Sequence, residues 1–90
     1  MSVKVKISSA HQYVTNGVEI VEVEGNTVAQ CLKDLIRKFP SLEKFMYNDA
    51  DVVSNYLLVF LNGENIPHTE LDKAVKNDDE ISLVMLIDGG

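Results

Sequence analysis

The chain has 90 residues, 46% hydrophobic and 24% charged, the composition of one small globular domain and not of a disordered chain. Its formal net charge of −6, with eight Lys and Arg and no basic cluster, lacks the electrostatic footprint of nucleic-acid binding. The longest apolar run, Tyr56 to Leu61, is too short to span a bilayer, and Cys31, the only cysteine, excludes an intrachain disulfide or a cysteine zinc cluster.

Val3-Lys4-Val5-Lys6-Ile7 alternates strictly and predicts a strand with Val3, Val5 and Ile7 inward and the lysines outward. Ser8 to Thr15 has no period and reads as a loop, closed by the turn pair Asn16-Gly17. A second strand is expected over Val18 to Glu24, its alternation broken at Ile20-Val21 as by a bulge; with the first it suggests a hairpin. Asn26 or Thr27 then caps a helix from Val28 to about Phe39, whose apolar stripe is Val28, Leu32, Leu35, Ile36 and Phe39. Pro40 stops it. Cys31 shares a face with Val28 and Leu35, which favours core packing over a nucleophile.

Leu42, Phe45 and Met46 suit a short helical turn sealing one end of the core, with Asn48 to Asp51 exposed. The apolar run Tyr56 to Leu61 predicts a strand covered on both faces or central in a sheet. Asn62-Gly63 predicts a tight turn, Glu64 to Ile66 a short return strand, and Pro67 to Asp79 a polar loop anchored by Leu71 and Val75. Ile81 to Ile87 is the last strand. If Ile81, Leu83, Met85 and Ile87 face the core, Val84 and Leu86 face outward as docking candidates; so apolar a run leaves the phase open. The order describes an α+β domain, a mixed sheet of four to five strands with one main helix across it. Side-by-side first and last strands in the middle would aim the chain end out of the sheet.

No catalytic constellation is legible. His11 and His68 lack metal-ligand spacing, there is no nucleophile elbow or phosphate loop, and Asp78-Asp79-Glu80 reads as a solvated turn. No metal site is expected. The remaining feature is the end, Gly89-Gly90, directly after a strand and Asp88. Glycine lacks a Cβ and passes where other residues cannot. A carboxylate presented this way is a plausible substrate for an activating enzyme; the alternative is an incidental chain end.

Val21-Glu22-Val23-Glu24-Gly25-Asn26-Thr27-Val28, Leu35 with Phe39-Pro40 and Leu42, Leu58 to Ile66 including Asn62-Gly63-Glu64, Asp79-Glu80-Ile81-Ser82-Leu83 and the terminal Gly89-Gly90 together resemble the MoaD/ThiS-type sulfur carriers. The chain departs from the family in carrying Asp78 where glycine is common, and Met85-Leu86-Ile87-Asp88 where many members have proline and small residues. The resemblance implies the ubiquitin-like β-grasp fold, with residues 1–87 as the domain and 88–90 as a flexible diglycine tail. It further implies a non-catalytic carrier: Gly90 bears the reacting carboxylate, Gly89 gives it access, and Asp88, Leu86 and Val84 contact partners. Those partners would be a ubiquitin-activating-type adenylating enzyme using ATP and magnesium, a sulfur donor enzyme and an acceptor synthase subunit, with no cofactor held by this chain. Molybdopterin, thiamin and cysteine biosynthesis are the implied routes, and the long Ser8–Gly17 segment resembles carriers of cysteine synthesis somewhat better. A ubiquitin-like modifier joined to lysine through Gly90, or a plain β-grasp interaction domain, are the alternatives. No membrane contact is expected, and the opening Met1-Ser2-Val3-Lys4, without a signal-peptide apolar stretch, points to a cytoplasmic protein.

Overall fold

Alternation and turn chemistry build the sheet. In the computed structural model, which describes residues 1–48, 50 and 52–86, β1 (Ser2–Ile7) pairs antiparallel with β2 (Ile20–Glu24), Val5 opposite Val21. After the helix α1 (Val28–Lys38) and the short α2 (Glu43–Met46) come β3 (Leu57–Leu61), β4 (Glu64–Asn65) and β5 (Glu80–Met85). The five strands lie in the order β2-β1-β5-β3-β4, so the first and last strands are side by side, parallel, at the centre. This is the expected mixed sheet with one main helix packed across it.

The core lies between one face of the sheet and α1. Val3, Val5, Ile7, Ile81 and Leu83 meet Val28, Cys31, Leu32 and Leu35 there, all buried. Cys31 is fully buried, and burial pushes its thiol pKa up, which keeps it protonated and apolar in character. The Thr27 hydroxyl accepts from the Gln30 N–H at 3.2 Å and caps α1. Leu42, Phe45 and Met46 are buried and close one end of the core as expected.

Two sequence expectations change and a third is narrowed. Ser8 to Thr15 is not an irregular loop: Ser9–Thr15 is a 3-10 helix, pinned by Gln12 Nε2 donating to the Ile7 carbonyl at 3.0 Å and ending on Asn16 at φ 57°. β2 starts at Ile20 and alternates regularly, with Ile20 outward and Val21 and Val23 buried, so no bulge is needed. Of the two readings of β3 the interior one holds, since it lies between β5 and β4; Leu57, Val59 and Leu61 are buried while Leu58 and Phe60 are half-buried on the opposite face. Asn62 (φ 51°) and Gly63 (φ 85°) form the tight turn into β4.

Candidate functional site

Strand register assigns the described residues of the predicted site to one end of the molecule. Ile7 lies beside Leu83 in the parallel pair, so β1 and β5 finish at the same end of the sheet. β2 and β3 begin there, with Lys6 opposite Ile20 and Leu57 opposite Met85. The sheet therefore has an exit end, toward which β5 runs, and an entry end, where β5 begins.

The entry end is held by hydrogen bonds. The Asn62 side chain donates to Asp79 Oδ1 at 3.1 Å and accepts the Glu80 N–H at 2.9 Å, while Asp79 Oδ2 accepts the Lys76 N–H at 2.8 Å. The backbone N–H of Lys76 and the amide of Asn62 hold the Asp79 carboxyl below the usual carboxylate range. Asp78 takes φ 69°, the left-handed region, and its N–H donates to the Ser2 carbonyl at 2.9 Å. A glycine fits that conformation best, so Asp78 occupies a position whose backbone favours the residue that the chain lacks. These residues fix where β5 starts, which gives the Asn62-Gly63 and Asp79-Glu80 motifs a structural role.

The exit end is apolar. Ile81, Leu83 and Met85 are buried, which fixes the phase of β5 and leaves Val84 (37% exposed) and Leu86 (55%) outward. Val84 stands opposite Leu58 on the uncovered face, and the Leu86 N–H donates to the Tyr56 carbonyl at 2.8 Å. Tyr56, Val52, Val18 and Ile20 are exposed around the same end, as is Tyr13 at 66%. Among the described residues, Met1 is the one exposed large hydrophobic residue at the opposite end. Sequence reasoning found Val84 and Leu86 but missed Tyr13, Tyr56 and Val52, because their neighbourhood depends on strand register. The predicted residues Asp88, Gly89 and Gly90, with the 87/88 domain boundary, lie outside the described residues.

Among the described residues no group of three or more His, Cys, Asp or Glu converges to hold a metal ion. His11 is buried against Phe45, and His68 Nε2 lies 2.7 Å from the Leu57 carbonyl, so the histidines serve separate structural contacts. No helix among them is long and apolar enough to cross a membrane.

A family model, that of the ThiS family, matches residues 6–90. The chain belongs to the ThiS family. It is thus a MoaD/ThiS-type, ubiquitin-like β-grasp protein of the sulfur-carrier class. Solved structures agree. The crystal structure of SAMP1 from Haloferax volcanii is 27% identical, with a TM-score of 0.86 and 100% of each chain covered. The solution structure of small archaeal modifier protein 1 from Methanosarcina acetivorans is 26% identical, with a TM-score of 0.86 over 99% of this chain and 96% of that one. The Amycolatopsis orientalis BexX/CysO complex shares the fold at 22% identity, a TM-score of 0.82 and 98% and 99% coverage. No curated protein matches the sequence.

Proposed function

We propose that this ThiS-family protein carries sulfur on the carboxylate of Gly90 and supplies no catalytic side chains of its own. The observation that carries this reading is the family match running through residue 90, over Gly89-Gly90, together with the apolar residues gathered at the end toward which β5 runs. A carboxylate is a poor electrophile. A ubiquitin-activating-type partner holding ATP and magnesium would join the Gly90 carboxylate oxygen to the α-phosphorus of ATP and release pyrophosphate. Hydrosulfide released by the donor enzyme would then attack the acyl carbon, break its bond to the phosphate oxygen and expel AMP, leaving the thiocarboxylate, a soft nucleophile, for an acceptor subunit. Residues 88–90 act as the reaching tail of the domain formed by residues 1–87, in the cytoplasm, with Gly89 giving access and Asp88 read by the partner. Leu58, Phe60, Val84 and Leu86 form the docking strip. Complexes among the similar structures, BexX with CysO and subunits 1 and 2 of the Helicobacter pylori molybdopterin-converting factor, are consistent with a life in protein partners.

A second reading is favoured by a specific likeness. The two SAMP1 structures are named as modifier proteins, so Gly90 of this chain would alternatively be joined to a lysine of another protein. Glycylglycine remnants on lysines of cellular proteins would support that outcome. For both readings Gly90→Ala should leave the melting temperature unchanged while strongly impairing adenylation. Equal loss of stability and of adenylation would contradict the division between domain and tail.

A further inference from the structure

The Ser9–Thr15 helix is a built element in a place where a short turn would have joined β1 to β2. Gln12 ties it to Ile7, the Thr15 hydroxyl donates to the Val18 carbonyl at 2.7 Å, and the Gly17 N–H donates to the Gln12 carbonyl at 2.7 Å. Thr15 is buried, and buried His11 stands edge-on to Phe45 with 5.3 Å between ring centroids. Tyr13 stands exposed on this anchored element. Between it and the Pro40–Met46 region lies a cleft of about 290 Å³ lined by Tyr13, Val14, Asn16, Ser41, Lys44 and Phe45.

Two properties of the cleft identify an occupant. It has aromatic walls, and its lining holds a single cation, Lys44, with no carboxylate, although the chain as a whole has a net charge of −6. It also lies at the exit end of the sheet, because the helix follows directly from the end of β1, which runs parallel with β5. The cleft is on the helix-bearing side and Val84 on the uncovered face, so the two share the exit end, and a partner that encloses this end meets both.

We infer that this cleft is a second contact for the adenylating partner, receiving a segment that places an apolar side chain against Tyr13 and Phe45 and a carboxylate against Lys44. The inference rests on the sulfur-carrier reading and deepens it. The docking strip and tail deliver Gly90, and the cleft tells this carrier from others by a contact remote from the reaction. Aromatic anchors in small pockets contribute most to such interfaces, and one charge pair sets encounter rate and selectivity.

The test is pyrophosphate exchange into ATP, catalysed by the activating enzyme from the same cells, with this protein as the varied substrate. Tyr13→Ala and Lys44→Glu should each raise KM for the carrier at least about fivefold, the loss expected of an interface anchor, with kcat nearly unchanged. The rise of KM with salt should weaken or reverse in Lys44→Glu, because the charge attraction becomes a repulsion that salt screens. Lys76→Glu, at the entry end, should leave KM unchanged. Tyr13 and Lys44 are exposed, so both variants should keep the parent melting temperature. An unchanged KM in both variants, with the parent active, would overturn the cleft and leave the carrier reading standing. No exchange with the parent protein would overturn the carrier reading and the cleft together.

Discussion

Gly25 shows how tightly a single residue can be specified. A Cβ built there would stand 2.8 Å from the backbone nitrogen of Cys31 and 2.9 Å from its sulfur, where the strand hands over to α1. Neither can yield, since one is helix backbone and the other sits in the core. Gly25→Ala should therefore destabilise by about 1–3 kcal/mol, the usual cost of overpacking, readable as a lower urea midpoint. At Asp78 the constraint is the dihedral rather than space. Asp78→Ala should cost about 1 kcal/mol through left-handed strain, while Asp78→Gly should be neutral or stabilising in the same measurement. Asp79 adds a pH dependence. Its folded pKa lies below the ordinary 3.8, so its contribution is complete above that value and lost as pH falls through the folded one. Asp34 is shifted the same way, first by the Glu24 N–H and then by Arg37. Melting temperature should thus fall on acidification below the ordinary carboxylate range, and Asp79→Asn should make that fall shallower. An unchanged pH profile in that variant would contradict the assignment. These residues were only partly legible: Asn62-Gly63 announced a turn, but nothing in the order of residues reveals that Asn62 reaches across to Asp79.

Among the elements, the strands that alternate were readable and those with special edges were not. Val3 to Ile7 and Val28 to Phe39 carry clean periods of two and of 3.6, so β1 and α1 follow from the order of apolar residues alone. The 3-10 helix at Ser9–Thr15 has no such period. It is held by Gln12 and by burial of His11 and Thr15, contacts that exist only after folding. The guarding of the sheet edge was equally hidden. β2 is an outer strand, and an open strand edge invites pairing with other chains. Two of its outward groups are taken by α1. The Glu24 N–H donates to Asp34 Oδ2 at 2.9 Å, and Lys38 Nζ donates to the Glu22 carbonyl at 2.6 Å. Lys38, in the last turn of α1, complements the helix dipole and also closes the strand. At the other side of the sheet the His68 ring meets the Leu57 carbonyl beyond the short β4. Asp34→Ala should accelerate hydrogen exchange at the Glu24 amide and cost about 1 kcal/mol, the typical worth of such a bond. Exchange as slow as in the parent would show that the strand edge is protected by something else.

At the scale of the molecule, the parallel pairing of β1 with β5 organises function. It sets a hydrogen-bonded entry end, rich in carboxylates, against an exit end that carries nearly all the exposed large hydrophobic side chains of the described residues. This polarity accounts for a small acidic domain that offers partners one apolar face at one end. The fold class and the pairing of first and last strands were legible in the order of elements. The exit end was legible only through Val84 and Leu86, since Tyr13, Val52 and Tyr56 come from distant parts of the chain. The central claim is that Gly90 bears the transferred sulfur. Intact-mass spectrometry tests it most directly, on the protein incubated with its own activating enzyme, ATP, magnesium and a sulfur donor. A mass gain of one oxygen-to-sulfur exchange, mapped to Gly90, is the predicted result. An unmodified mass under those conditions, or the same gain mapped to another residue, would contradict it.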